Sequence, residues 1–398
     1  MKILLVGGGG REHALAWALG RHGHALHFTH ENPGFDGLGE VVVGDPLERA
    51  LALRPDLVVI GPEAPLAAGL VDKLDAHSIP AFGPTQAAAR LETSKVWSKE
   101  FMLRHGLPTA RAQVLAPGQT LPMVEQGVIK VDGLAAGKGV WVCTDESEVR
   151  RAVSEAMRIN PKGKILLEER LSGPEVSVLA LSDGTRITPL PAARDHKRRF
   201  DGDRGPNTGG MGAVAPVGIP EREECVEILQ RAVAAMAHEG VPFRGVLYGG
   251  FMLTKKGPRL LEFNARFGDP ECQVLMTLLD EDPAPWFLGV AHGRLPGRTI
   301  RTRWAHACCV VVTADGYPER GADAAVEALP ADTPDVVVFH SGTARVGGEL
   351  RATGGRVLGV TGIGPSSEMA RERAYAAVRQ VRFEGASYRS DIGASLWT

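Results

Sequence analysis

Lysine is the scarcest charged residue in this chain. Eleven of the 45 basic residues are lysine, the other 34 are arginine, and no lysine follows Lys256. Each lysine therefore invites a question about its role. Cysteine is also sparse: Cys143, Cys225, Cys272, Cys308 and Cys309 form no CxxC pair. That excludes a zinc-knuckle or redox pattern and fits a reduced, cytoplasmic protein. Cys308 and Cys309 lie inside the apolar run 307–312 and read as buried strand residues. Long hydrophobic runs are missing too. The stretch Met1-Lys2-Ile3-Leu4-Leu5-Val6 is too short for a signal peptide or a membrane span. Neither sign of charge dominates, with 45 Lys+Arg against 47 Asp+Glu. This excludes a protein-wide nucleic-acid surface, but not a local cationic pocket.

Glycine is present in excess, at 49 of 398 residues, well above the usual ~7%. The length suggests two to four domains. In the first ~95 residues short apolar strands (2–6, 25–29, 40–43, 56–60, 80–82) alternate with helical patterns at 11–21 and 66–77. Such alternation builds an open parallel sheet. Residues 93–105 read as a helix with a threonine cap, and 116–122 as a Pro/Gly linker. Strands then surround a helix at 146–158, and 191–215 reads as a long loop. A helix at 221–238, strands at 245–253 and 259–264, and helices at 271–279 and 285–292 follow. The last ~95 residues hold strands at 306–313, 336–340 and 355–360, then a helix at 367–381.

The glycines gather in three clusters. The first, Val6-Gly7-Gly8-Gly9-Gly10-Arg11-Glu12-His13, follows a strand and opens a helix, a setting for an anion. Glu12 stands where the dinucleotide fingerprint needs its third glycine, which favours a phosphorylated metabolite over NAD. A tight turn without ligand is the bland reading; four glycines in succession are an entropic burden that speaks against it. The second cluster, Val131-Asp132-Gly133-Leu134-Ala135-Ala136-Gly137-Lys138-Gly139-Val140, fails the P-loop pattern, because Gly139 occupies the hydroxyl position. It reads as a hairpin loop whose amides close over phosphates, with Lys130 in the preceding strand as a point charge. Lys138 serves equally well as a solvated loop lysine. The third cluster is Asp195-His196-Lys197-Arg198-Arg199-Phe200 with Gly205-Pro206-Asn207-Thr208-Gly209-Gly210-Met211-Gly212, basic and permissive together.

The sharpest feature is Glu262-Phe263-Asn264-Ala265-Arg266-Phe267-Gly268-Asp269-Pro270-Glu271. On a strand Glu262 and Asn264 share a face. A carboxylate beside an amide oxygen suits Mg²⁺, which completes its shell with waters and phosphates. Arg266 and Asp269 lie just past the strand end, where ligands of α/β proteins gather. The segment 165–175 joins two strands; its backbone suits an adenine edge and a nearby carboxylate suits ribose hydroxyls.

Together these stretches resemble the ATP-grasp ligases and, within them, the glycinamide ribonucleotide synthetase (phosphoribosylamine–glycine ligase) family of purine biosynthesis. Further matching stretches are Gly61-Pro62-Glu63-Ala64-Pro65-Leu66, Phe82-Gly83-Pro84-Thr85 and Gly354-Gly355-Arg356-Val357-Leu358, so the resemblance spans nearly the whole chain. It implies a Rossmann-like N-terminal domain for phosphoribosylamine (1–98). It also implies an ATP-grasp domain (99–302) with a mobile flap at about 117–190, and a small α+β C-terminal domain (303–398). It implies ATP with Mg²⁺ or Mn²⁺, a monomer acting on small molecules, no nucleic acid and no membrane. Glycine is phosphorylated and the amine of 5-phosphoribosylamine attacks the acyl phosphate.

By the same resemblance Lys95 or Lys99 and Lys130 contact ATP phosphates, and Gly133, Gly137, Lys138 and Gly139 close over them. Glu168, Glu169 and Leu171 hold adenine, and Glu175 the ribose. Glu262 and Asn264 hold the metal. Arg266, with Lys130, is catalytic, and Arg266 neutralises charge on the transferred phosphoryl and on the glycine carboxylate. Gly9, Gly10, Arg11 and Glu63 face phosphoribosylamine, and Asp195, Lys197, Asn207, Thr208, Gly209 and Asp269 line the substrate side. Gly8 departs from the family's usual Asn, Ala265 and Cys272 from Cys and Thr, and the stretch 33–56 is short. The rival readings are another ATP-grasp carboxylate–amine ligase, an NAD-dependent oxidoreductase and a non-catalytic nucleotide-binding regulator. Glu12 speaks against the second, and the Glu262–Asn264 pair against the third.

Overall fold

The computed structural model describes residues 1–117, 119, 124–134 and 139–394. The strands Lys2–Val6, Ala25–Phe28, Gly39–Val41, Leu57–Ile60 and Ala81–Phe82 form one parallel sheet. In space the Gly39–Val41 strand is at one edge, followed by Ala25–Phe28, Lys2–Val6, Leu57–Ile60 and Ala81–Phe82. The sheet is covered on both faces, as its unbroken apolar strands require. Ile3 and Leu5 point into one core, with the helix residues Leu15 and Leu19. Leu4 and Val6 point into another, with Leu66, Val71 and Leu74. The order reverses between Lys2–Val6 and Leu57–Ile60, so the turns after these two strands flank the crevice where ligands of such sheets bind.

The 66–77 segment is not one helix. It splits into Glu63–Ala67 and Leu70–Ala76, with Gly69 between them at φ +72°, a conformation that glycine adopts without steric cost. The next long helix is Lys95–Arg104. Its cap is Ser94, whose side chain accepts from the Trp97 amide, rather than Thr93, which closes the short helix before it.

Two antiparallel sheets follow. One orders Ala112–Leu115, Ile165–Glu168, Gly127–Val131 and Val140–Cys143, backed by the helix Glu146–Ile159 over a small core of Ile129, Val131, Val149, Ala152 and Leu167. The second orders Ile187–Pro189, Glu175–Asp183, Arg244–Thr254 and Gly257–Asn264. The Lys95–Arg104 helix packs on a strand of each.

The 191–215 segment is more ordered than a loop. Arg198–Phe200 and Arg204–Asn207 pair as a hairpin. Arg194–Asp195 and Gly212–Ala215 join a sheet whose other strands are His306–Ala314, Arg356–Gly364, Val336–His340 and Ala386–Ser387. The pairing partner lies about 95 residues downstream, so local pattern carries no sign of it. The helix Ser367–Val378 packs on this sheet. All five cysteines are buried and free, Cys308 and Cys309 within the His306–Ala314 strand. Among the described residues no helix is long and apolar enough to cross a membrane.

Candidate active site

The Gly257–Asn264 strand carries a β-bulge where it meets Gly250 and Phe251. Strict alternation would put Leu260 and Glu262 on one face. The bulge lets Leu260 and Phe263 both enter the core and leaves Glu262 and Asn264 together on the half-buried face. At the irregular step, Leu261 O accepts from Lys130 Nζ at 2.9 Å, which ties the two antiparallel sheets together. Lys130 also lies 3.0 Å from Glu168 Oε2, and Lys99 Nζ lies 2.8 Å from Glu168 Oε1. One buried carboxylate thus serves two buried ammonium groups. Lys99 is held further by Thr109 Oγ1, which itself donates to Leu260 O at 2.7 Å. Burial lowers the Lys99 pKa below the usual lysine value, with Glu168 opposing the shift.

Lys95 donates to Gly133 O at 2.7 Å, the first glycine of the hairpin turn. Burial lowers the Lys95 pKa also, opposed first by Glu262. Gly127–Val131 and Val140–Cys143 pair as the expected hairpin; Gly137 and Lys138 lie outside the described residues. Burial alone would raise the Glu262 carboxyl, yet Lys197, Lys130, Lys95 and Arg266 together hold it below the ordinary carboxylate value. An ionised carboxylate and an amide oxygen on one face make a hard oxygen donor pair. No cluster of three or more His, Cys, Asp or Glu among the described residues could hold a metal alone. The pair suits a cation that takes its remaining ligands from water and phosphate.

A small polar pocket adjoins this face, lined by Glu175, Val176, Ser177, Asp195, Lys197, Tyr248 and Gly250. Lys197 Nζ lies 3.1 Å from Glu175 Oε2, and that carboxylate chiefly raises its pKa. Tyr248 OH, Ser177 Oγ and Glu271 Oε1 form a buried chain with steps of 2.8 and 3.0 Å. Asp195 Oδ1 is buried with no hydrogen-bond partner among the described residues. Burial first, then Glu271, pushes the Asp195 pKa well above the ordinary value. Thr208 Oγ1 donates to Lys197 O at 2.8 Å and accepts from Gly210 N, so it shapes the loop that carries Asn207 and Gly209. Gly210 has φ +112°, and a Cβ there would meet Pro270 Cδ at 2.5 Å and Asp195 Oδ1 at 2.9 Å. Only glycine lets this loop close against the Asp269–Pro270 turn. Glu169 stands aside, paired with exposed Arg111, and Leu171 is half-buried nearby.

At the end of the bulged strand the N-terminal sheet meets the site. Arg266 Nη2 pairs with Glu92 Oε1 at 2.9 Å and its Nε lies 3.4 Å from Glu63 Oε2. Arg11 approaches the same Glu63 oxygen at 4.0 Å and donates to Phe267 O at 3.2 Å. Burial would raise the Glu63 pKa, but Arg266 and Arg11 bring it below the usual carboxylate value. At the glycine cluster Gly9 N donates to Glu12 Oε2 at 2.7 Å, so that amide already faces a carboxylate of the chain itself. A Cβ at Gly8 would lie 2.8 Å from His30 Cβ, so a larger residue here would have to displace that histidine. A Cβ at Gly10 would collide with Ser341 Oγ, where the C-terminal region approaches the helix start.

Comparison with known proteins accounts for this assembly. Three family models match in order: the phosphoribosylglycinamide synthetase N domain over residues 1–92, its ATP-grasp (A) domain over 93–272, and its C domain over 307–395. The chain belongs to the phosphoribosylglycinamide synthetase family. Within the family, a phosphoribosylamine–glycine ligase of Rhizobium meliloti is 44% identical over 417 residues, covering 99% of this chain and 98% of that protein. The human trifunctional purine biosynthetic protein adenosine-3 is 41% identical over 98% of this chain, which spans 42% of that larger protein. The crystal structure of the phosphoribosylamine–glycine ligase of Thermotoga maritima superposes with a TM-score of 0.86 at 34% identity. It covers 98% of this chain and all of the other. The biotin carboxylase domain of the Hydrogenobacter thermophilus 2-oxoglutarate carboxylase, solved with MgADP, shares the fold alone. Its TM-score is 0.73 at 18% identity, covering 97% of this chain and 91% of that one. The chain is an ATP-grasp enzyme of a ligase family. Local pattern did not single out Glu12 at Gly9 N, Glu92 at Arg266, Glu271 at Ser177 or Arg356 at Gly209 O. Arg356 lay in a matching motif, but nothing in its local pattern tied it to a loop about 150 residues away.

Proposed function

We propose that this enzyme joins glycine to 5-phosphoribosylamine at the expense of ATP, through a glycyl phosphate, giving glycinamide ribonucleotide, ADP and phosphate. The observation that carries the reading is the convergence of Lys95, Lys99 and Lys130 with the Glu262–Asn264 face. Arg266 links that face to Glu63 and Arg11 at the switch point of the parallel sheet. Phosphoryl transfer needs positioning and charge neutralisation rather than a covalent nucleophile. A glycine carboxylate oxygen attacks the γ-phosphorus and the bond to the ADP oxygen breaks. The amine nitrogen then attacks the acyl carbon, phosphate departs and the amine gives up a proton.

In this reading Lys99 and Lys130 hold phosphate oxygens, released in part from Glu168, and the turn 133–139 covers them. The backbone at Glu168, Glu169 and Leu171 frames the adenine edge, and Glu175 the ribose. Arg266 neutralises charge on the transferred phosphoryl. Gly9, Gly10, Arg11 and Glu63 face phosphoribosylamine, while Asp195, Lys197, Asn207, Thr208, Gly209 and Asp269 form the substrate side. Glu262 and Asn264 would hold Mg²⁺ or Mn²⁺, which when bound neutralises phosphate charge. The division of labour follows residues 1–98, 99–302 with a flap at 117–190, and 303–398, in a monomeric cytoplasmic enzyme with five reduced thiols. Steady-state ADP release with ATP, glycine and 5-phosphoribosylamine tests it. Turnover should need both co-substrates; ADP release indifferent to glycine would overturn the assignment in favour of another carboxylate.

A further inference from the structure

The C-terminal region reaches into the substrate side with two side chains that the activity does not by itself explain. Gly209 sits in the loop closed by Gly210. Its amide donates to Tyr317 OH at 2.9 Å, and its carbonyl accepts from Arg356 Nη1 at 2.6 Å. Both backbone groups of one residue are therefore held by side chains from beyond residue 306. The same Arg356 Nη1 donates to Asp269 O at 2.6 Å, and Nη2 lies 3.2 Å from Asp269 Oδ2. Gln273 Nε2 donates to Asp269 Oδ1 at 2.9 Å, so both carboxylate oxygens of Asp269 are engaged.

A planar guanidinium can span three oxygens at once, whereas an ammonium is a point donor. The Tyr317 ring is itself fixed: a Cβ at Gly355 would lie 2.5 Å from its Cδ2, and Tyr317 O accepts from Arg199 Nε at 2.9 Å. Other bonds strap the rest of the segment to the same region. Arg389 Nη1 donates to Arg198 O at 2.9 Å, Gly202 N to Asp391 Oδ2 at 2.8 Å, and Ser390 N to Asp201 Oδ1 at 2.8 Å.

We propose that Tyr317 and Arg356 are positioning residues for the acceptor side of the reaction. They clamp Gly209 by its N–H and C=O and lock it to the Asp269 turn, and so fix the loop of Asn207 and Thr208 against Lys197 and Asp195, which line the polar pocket. The inference rests on the reading of 207–209 as the substrate side. It gives the C-terminal region a task, which is to hold the co-substrate loop while the ATP side stands on the two antiparallel sheets.

Steady-state kinetics with each substrate varied in turn, on Tyr317→Phe and Arg356→Lys, test the clamp. Displacing reacting groups by about an ångström costs up to ~100-fold. Arg356→Lys should lower kcat/KM for glycine and 5-phosphoribosylamine by about 10–100-fold, with the KM for ATP within about twofold of the parent. Tyr317→Phe should shift the same parameters by a smaller factor. Hydrogen exchange at the Gly209 amide should speed up in Tyr317→Phe, a readout that needs no turnover. Unchanged co-substrate kinetics, full rescue by lysine, equal losses on ATP, or unaltered exchange at Gly209 would each overturn the clamp. Failure of the proposed ligation would show instead in the parent enzyme, as ADP release without glycine dependence.

Discussion

Acid should loosen the packing around the C-terminal region, where three buried histidines lie: His13 and His340 at its contact with the first helix, and His196 in the segment beside Arg194 and Arg389. His13 lies in the helix after the first glycine cluster, buried against Phe35 and Phe339, and its Nδ1 accepts from His340 N at 2.9 Å. Burial, then His340, lowers its pKa to about 3. Burial, then Arg345, lowers His340 to about 4, and burial, then Arg194 and Arg389, lowers His196 to about 4. Each folded value lies below the unfolded one of ~6.5. Below that pH the unfolded chain binds protons that the folded chain refuses, so stability is complete above pH 6.5 and falls as the pH drops toward 4. At pH 5 an unfolded histidine gains RT ln(1 + 10^1.5), or ~2 kcal/mol, while the folded groups gain almost nothing. Buried Asp195 acts in the opposite direction, because its raised carboxyl takes up a proton in the folded chain first, so each histidine's share is read from its own variant rather than from the total. Urea unfolding at pH 8 and pH 5 measures the loss. His13→Gln, whose amide oxygen can still accept from His340 N, should shrink it by ~2 kcal/mol. NMR of ¹³C-labelled histidine reads the sites directly. Any of the three titrating near 6.5, or a His13→Gln variant with an undiminished pH difference, would refute the reasoning.

The remaining tests address the site. Glu262→Ala removes the charged half of the hard donor pair and should abolish turnover at ordinary Mg²⁺ while leaving the fold intact by circular dichroism; near-normal activity would remove Glu262 from the metal site. Lys130→Arg keeps the charge but puts a planar fork where a compact ammonium meets both Leu261 O and Glu168, and should lose at least about tenfold in kcat; full activity would show that either cation serves. Glu168→Gln leaves Lys99 and Lys130 buried without their shared anion. Breaking buried pairs typically costs ~3–5 kcal/mol, and a melting temperature equal to the parent's would contradict the arrangement.

What the sequence made legible was what local pattern encodes. The parallel sheet followed from short apolar strands alternating with helices, and the hairpin around Gly133 from glycines between two β-patterned runs. The same-face placement of Glu262 and Asn264 followed from a period of two. It survived a bulge that strict alternation does not foresee, because the bulge lies before Glu262 rather than between the two residues. The break at Gly69 and the cap at Ser94 turned on single backbone conformations, which periodicity averages over. The strands within 191–215 were illegible for another reason. Arg194–Asp195 and Gly212–Ala215 are short, and what makes them strands is His306–Ala314 alongside.

The lysines show how charge organises the site beyond what composition reveals. Their scarcity pointed to Lys95, Lys99, Lys130, Lys138 and Lys197; Lys138 lies outside the described residues, and each of the others has a specific acceptor: Gly133 O, Glu168, Glu168 with Leu261 O, and Glu175. Burying ammonium groups without partners is costly, and here each is held by a carboxylate or a carbonyl. Arginine takes the other task. Arg11, Arg266 and Arg356 join segments far apart in sequence, because a rigid fork can hold a carbonyl of one and a carboxylate of another at once. Among these residues Lys95, Lys130 and Lys197 surround Glu262, while the arginines bridge segments distant in sequence.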